Sequence, residues 1–122
     1  YLAKCIREGR VYKIFGYEGQ QVRDQIHADD LANAFWHFIQ NPRSGEVYNI
    51  GGGPERATSL MGAAMLIEKE TGKPFIFEFA KERSGDREFD VHDVSKFKKD
   101  YPAWDYKYSL NDIIKDVCSK KL

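Results

Sequence analysis

A change of period inside one short stretch constrains this chain most. The segment Gln21-Val-Arg-Asp-Gln-Ile-His-Ala-Asp-Asp30 starts as an extended piece, Val22 to His27, and runs without a break into Leu31, Ala34, Phe35, Phe38 and Ile39, which follow the 3.6-residue spacing of a helix. A strand that turns straight into an amphipathic helix belongs to an α/β layout. The corner also carries Arg23, Asp24, His27, Asp29 and Asp30, so a guanidinium and several carboxylates meet at a strand-to-helix turn, where ligands are commonly held. Asp29 or Asp30 is the expected cap of the helix and Asn41-Pro42 its stop.

The rest of the pattern agrees. Tyr1 to Gly9 reads as the last turns of a helix closing on a glycine, and is expected to be the end of an element that begins upstream. Val11 to Phe15 is β-branched and aromatic enough for a strand, with Gly16 to Gln20 as its turn. Glu46 to Ile50 predicts a short strand running into Gly51-Gly-Gly-Pro54, after which Thr58 or Ser59 opens a helix that ends at Gly72. Phe75 to Phe79 predicts a strand reached by a crossover, Val91 to Lys99 a short helix, and Ser109 onward an amphipathic helix with Ile113, Ile114 and Val117 inward.

At 122 residues, 42% of them hydrophobic, the chain can bury one modest core, so one domain is expected. Its 19 basic and 19 acidic residues cancel, which removes the long-range field of a general nucleic-acid binder; an anionic ligand must be held locally. Cys5 and Cys118 are far apart and form no paired motif, which fits a reducing cytoplasm, and no apolar run reaches the about 20 residues that cross a bilayer, so no membrane partner is expected.

Gly51-Gly-Gly53 lies between a strand and a helix, where backbone amides can approach a phosphate. Pro54, Glu55 and Arg56 follow it, however, and the dinucleotide spacing Gly-x-Gly-x-x-Gly is not met, so a tight turn is the better reading. Arg23 can grip a phosphate with both arms of its fork, with Asp24 orienting it, or serve in an ordinary ion pair. Arg83-Ser-Gly-Asp86 offers a second arginine and carboxylate on a loop, and the two loops together suit a diphosphate whose sugar hydroxyls are read by carboxylates. Neither His27 with Asp29 and Asp30 nor Asp90-Val-His-Asp93 has a metal-ligand spacing, so no metal is expected. No nucleophile motif and no Tyr-x-x-x-Lys is present, so no catalytic residue is assigned.

Four ordered blocks carry a family resemblance: Phe15-Gly, then Val-Arg-Asp-x-Ile-His-x-x-Asp, then Glu-Val-Tyr-Asn-Ile-Gly-Gly, then Arg-x-Gly-Asp. Over nearly its whole length the chain resembles the carboxy-terminal half of extended short-chain dehydrogenases, most of all the NAD-dependent nucleotide-sugar epimerases and dehydratases. Gln21-Val-Arg-Asp24 and Tyr101-Pro-Ala-Trp104 resemble the CDP-tyvelose 2-epimerase-like members. The fold so implied is α/β, the carboxy-terminal half of an extended Rossmann-type NAD(P)-binding epimerase, with a small mixed sheet plus helices. Residues 1–122 would be the substrate-binding part. The NAD-binding glycines and the Tyr-x-x-x-Lys pair would lie upstream, leaving the chain inactive alone; the whole would be an epimerase, with a dehydratase, decarboxylase or reductase of the same superfamily, or a non-catalytic ligand-sensing module, as the alternatives.

The resemblance implies that Arg23 and Arg83 contact the diphosphate of a nucleotide sugar, that Asp86 lies near the ribose, and that Phe15, helped by Tyr12 or Ile14, packs at the nucleobase. His27 and Asp30 would be structural, and Tyr48 to Gly51 would return to the dinucleotide-binding sheet. The implied protein is a cytoplasmic homodimer that uses NAD and acts in polysaccharide precursor synthesis. Ser84 stands where the family commonly has a proline, which loosens that loop without removing its charges.

Overall fold

The computed structural model describes residues 1–119. Helix α1 (Leu2–Glu8) closes on Gly9, whose φ of 65 supplies the left-handed cap, and strand β1 (Tyr12–Phe15) follows. A turn leads to β2 (Val22–Asp24) and the helix α2 (Ala28–Gln40). Strand β3 (Ala57–Ser59) runs into α3 (Leu60–Thr71), and β4 (Phe77–Ala80), β5 (Phe89–Asp90), α4 (Ser95–Asp100) and α5 (Leu110–Ser119) complete the order.

Two small sheets result. β1 and β4 pair in parallel with Phe15 opposite Ala80, the pairing a crossover connection produces. β2 is central in the other sheet, antiparallel to β3 with Arg23 opposite Thr58, and parallel to β5 with Arg23 opposite Asp90. The chain is therefore α/β with one parallel and one mixed small sheet, the α/β class that its pattern predicts.

Two cores hold it. Ala3 and Ile6 of α1, Ala64 and Ile67 of α3 and Ile114 of α5 form one. Ala34 of α2, Phe97 of α4, Tyr101 and Trp104 form the other, with Tyr48 and Phe38 packed against it. Tyr101 and Trp104 are both buried in it, and the indole N–H donates to the Asp30 carbonyl at 3.1 Å, so this tail does structural duty.

Several expectations are corrected. Residues 46–50 join no ladder among the described residues: Tyr48 and Ile50 turn into the second core while Val47 points out. The alternating pattern there reports side-chain direction, which extended backbone has with or without a pairing strand. The strand β2 ends at Asp24, although the Gln25 amide still donates to the Arg56 carbonyl at 3.0 Å and the backbone is again extended at His27, just before the helix. The helix expected over 91–99 starts only at Ser95, where the Asp93 carboxylate takes up the Ser95 amide. In α2 the Ala34 and Phe38 side is packed, but Phe35 and Ile39 are exposed together with Trp36.

Candidate functional site

The path from β1 to β2 is a tight reversal in which Gly16, Tyr17, Glu18 and Gly19 all take positive φ, at 71, 49, 49 and 78. Two of these are not glycine, so the reversal is held at a local cost by its surroundings. Part of the hold is the Tyr17 hydroxyl, which donates to the Asp86 carbonyl at 3.2 Å and so ties this reversal to the loop after β4. Between them opens a cleft of about 660 Å³, lined among others by Tyr12, Phe15, Gln21, Arg23, Arg83 and Asp86. Sequence positions 15, 23, 83 and 86, read as one ligand edge, thus meet at one place.

Arg23 sits on the edge facing Asp86. Its Nη2 donates to Asp86 Oδ1 at 2.8 Å and to the Arg87 carbonyl at 2.5 Å, and its Nη1 donates to the Val22 carbonyl at 2.7 Å. A guanidinium has five N–H donors, so the ion pair fixes the fork and still leaves donors for an anion. The expected pairing with Asp24 does not occur. Neighbours along a strand point to opposite faces, which sends Arg23 to the cleft and Asp24 inward.

Arg83 lies flat over Phe15, its guanidinium carbon 3.8 Å from the ring centroid. Its loop closes as a turn in which the Asp86 amide donates to the Arg83 carbonyl at 3.3 Å, with Gly85 at φ 79 in the third position. A positive φ there is the glycine position of a type II turn, whose second position, Ser84 here, is one that suits proline. Tyr12 lines the cleft, whereas Ile14 is fully buried and faces the interior. Burial, then the nearby Cys5, raise the Tyr12 phenol against the pull of Arg83, and the Glu82 carboxylate beside it raises Tyr17. Both hydroxyls remain protonated at neutral pH.

Sequence reasoning missed Gln21 as a lining residue, although it stands two positions before Arg23 and so shares its face. It also placed the α2 cap on Asp29 or Asp30. The cap is His27, whose Nδ1 accepts the Asp29 amide at 3.1 Å. That fixes the proton on Nε2, which bonds to Asp116 at 3.2 Å, while the ring stacks on Tyr108 at 3.8 Å. Asp30 is turned inward and is 0% exposed.

The glycine turn is a packing device. A Cβ on Gly51 would stand 2.5 Å from both Asp24 and His92, and one on Gly52 would collide with the Gln25 carbonyl. The Gly53 amide is already donated to Asp24 at 2.8 Å, and the Gly51 carbonyl accepts the Tyr106 hydroxyl at 2.6 Å. Burial pushes that phenol up to about 12 against the pull of Arg56, which keeps it a donor. These residues do not fit a dinucleotide phosphate. Among the described residues there is no group of His, Cys, Asp and Glu that could hold a metal, and no helix long and apolar enough to cross a membrane. Cys5 and Cys118 are free thiols.

Residues 1–51 match the model of the NAD dependent epimerase/dehydratase family. UDP-glucose 4-epimerase 1 of Oryza sativa subsp. japonica is 33% identical over 106 residues, 82% of this chain and 29% of the relative. The dTDP-glucose 4,6-dehydratase of Haemophilus influenzae is 31% identical over 112 residues, 92% of this chain and 29% of the relative. Among solved structures, UDP-glucuronic acid 4-epimerase from Bacillus cereus in complex with UDP-glucuronic acid and NAD superposes with a TM-score of 0.82 at 29% identity, covering 93% of this chain and 36% of that one. The chain thus spans 29% of the length of either curated relative.

Proposed function

Because the chain belongs to the NAD dependent epimerase/dehydratase family, we propose that it holds the nucleoside diphosphate of a nucleotide sugar within a longer NAD-dependent epimerase. One observation carries this reading: Phe15, Arg23, Arg83 and Asp86, from three separate segments, line a single cleft in which an aromatic ring, two guanidiniums and a carboxylate converge. That set matches the parts of the ligand. A planar base stacks on an aromatic or guanidinium plane, a diphosphate takes the free N–H groups of two arginines, and a carboxylate accepts from sugar hydroxyls.

NAD is the cofactor of this family, and it would be held by residues outside this chain, since the described residues supply no glycine cradle for it. The residues that move protons and hydride on the sugar would lie there too. This chain binds and orients; alone it is inactive. Relatives named for UDP-glucose and for dTDP-glucose match at 33% and 31%, which supports a nucleotide-sugar ligand and leaves epimerase against dehydratase chemistry to product analysis. The leaning toward CDP-sugars rests in part on Tyr101 and Trp104, which are core residues away from the cleft, and is left for titration to decide.

Calorimetric titration of the full-length protein with UDP-, CDP-, GDP- and dTDP-sugars tests the proposal. Binding to at least one, with NMR showing an inverted sugar carbon on turnover, is the expected result. Absence of binding to all four would refute it, and a dehydrated product would move the assignment to the dehydratases.

A further inference from the structure

Arg23 and Asp24 are neighbours on β2, point to opposite faces, and each holds one end of the same short segment, residues 86–92. Arg23 donates to Asp86 at its start, at 2.8 Å. Asp24 accepts from His92 at its end, from the ring Nδ1 at 2.9 Å and from the amide at 3.2 Å. Between these clips the Val22 amide donates to the Glu88 carbonyl at 2.8 Å, Arg23 also reaches the Arg87 carbonyl, and β5 pairs with β2 over only two residues. So short a ladder holds little by itself. The position of Asp86, and of the Arg23 fork that it fixes, therefore depends on both clips.

The far clip is built to change its strength. Asp24 is 2% exposed, whereas the His92 side chain is 41% exposed and lines a second cleft, of about 640 Å³, with Pro54, Phe89, Val91 and Lys98. A carboxylate only accepts, so the bond to Asp24 puts the proton of a neutral His92 on Nδ1 and leaves Nε2 as the base. Gly51 makes room for this arrangement, since a Cβ there would stand 2.5 Å from Nδ1. A proton gained at Nε2 needs no rearrangement; it turns the hydrogen bond into an ion pair with a buried partner. Resting on the nucleoside-diphosphate reading of the Arg23 cleft, we propose that His92 is a positioning residue for that site: through Asp24 it holds residues 86–92 on β2, and holds them more firmly when it is charged.

The other charges around His92 have partners of their own. Lys98 of α4 pairs with Asp105 at 2.9 Å, and Glu55 with Arg56 in the turn after Gly53 at 3.8 Å. In the segment of His92 itself, Asp90 faces Arg87 at 3.6 Å and Asp93 accepts the Ser95 amide. The Tyr106 hydroxyl donates to the Gly51 carbonyl. Asp24 is thus the charge that His92 meets at hydrogen-bond distance. When that hold is weakened, Asp86 and the Arg23 fork leave the binding arrangement in a fraction of the molecules, and affinity falls by that fraction.

The test titrates the full-length protein, between about pH 5.5 and 8, with the tightest-binding of UDP-, CDP-, GDP- and dTDP-glucose. A nucleotide sugar is the probe because both its phosphates are esterified, whereas a terminal phosphate would itself titrate at about pH 6. In the wild type, affinity should fall about threefold as pH rises across this range. In His92→Asn, whose amide nitrogen can take the place of Nδ1 but does not titrate, the profile should be flat and affinity at pH 8 within about twofold of the wild type. His92→Leu, which has no donor, should bind about tenfold more weakly throughout. Equal pH slopes in the wild type and His92→Asn overturn the proposal. So does an equal loss of affinity in the Asn and Leu variants, which would make residue 92 a packing residue only. Should His92→Leu not fold, the wild type against His92→Asn decides alone. Binding that Arg83→Ala weakens but that is indifferent to residue 92 defeats this inference alone. Failure of the wild type to bind any of the four defeats the cleft itself and this inference with it.

Discussion

Asp24 Oδ1 stands 2.9 Å from Nδ1 of His92, joining the end of β2 to the chain just past β5. The carboxylate is 2% exposed and also takes the amides of Gly53 and His92, at 2.8 and 3.2 Å. Burial favours its neutral form, but the bond from the His92 ring and the two amide bonds outweigh it, and the net direction is below the ordinary 3.8. A carboxyl with a lowered value in the folded state binds protons more weakly there than when unfolded. Its stabilisation is therefore present above about pH 4 and is lost as pH falls through the folded value. Asp24→Asn should lower stability at neutral pH and flatten the acid side of the stability curve, measured by urea unfolding between about pH 2 and 7. Parallel curves for the two proteins would contradict this.

Asp30 is the second buried carboxylate with a defined task. It accepts the Lys107 amide at 2.9 Å and the Tyr108 amide at 3.3 Å, so the segment before α5 is tied to the first turn of α2. Asp30→Ala leaves two amides unpaired and removes a negative charge from a helix N-terminus, which should cost about 2–4 kcal/mol. Loss of the near-ultraviolet signal of Trp104, whose indole N–H bonds to the Asp30 carbonyl, should accompany it. Denaturant unfolding with an unchanged midpoint would disprove the assignment.

Glycine positions separate packing from backbone freedom. Gly52→Ala drives a methyl into the Gln25 backbone, where there is no room for it, and should destabilise by about 3 kcal/mol or more. Gly45→Ala meets nothing within 4 Å and pays only for its φ of 77, a cost of about 1 kcal/mol. Thermal melts of both variants decide it; equal shifts would mean that the turn at 51–53 adjusts.

How much of this could be read in advance varies with the physics of each element. The reversal of period at residue 31, the Gly9 and Gly72 caps and the Ser59 start of α3 are local, and local chemistry shows in sequence. Residues 46–50 have strand alternation yet no partner among the described residues, because pairing depends on which segment lies alongside. The helix starts at Ala28, so His27 caps it by accepting the Asp29 amide, while Asp30 is turned inward to accept amides nearly eighty positions away, which no spacing rule can anticipate. At the cleft, motif order led to Phe15, Arg23, Arg83 and Asp86. The true partner of Arg23 and the pairing of Asp24 with His92 needed coordinates.

The two arginines should separate binding from stability. Arg23 is committed to Asp86 and to the carbonyls of Val22 and Arg87, so Arg23→Ala unties the loop after β4 from β2 as well as withdrawing donors from the cleft. Arg83 lies over the Phe15 ring, and its removal takes away a stacked guanidinium while leaving the pair between Arg23 and Asp86 in place. Both variants of the full-length protein should lose affinity for a nucleoside diphosphate, by about 1.5–3 kcal/mol where the bonds are charge-assisted. Only Arg23→Ala should also lower the unfolding free energy, by no more than about 1 kcal/mol, since the partly exposed pair is screened by water. Calorimetric titration paired with urea unfolding reads both quantities. Unchanged affinity in both variants would remove the cleft as a diphosphate site, and equal loss of stability would assign Arg83 a structural role that its contacts do not suggest.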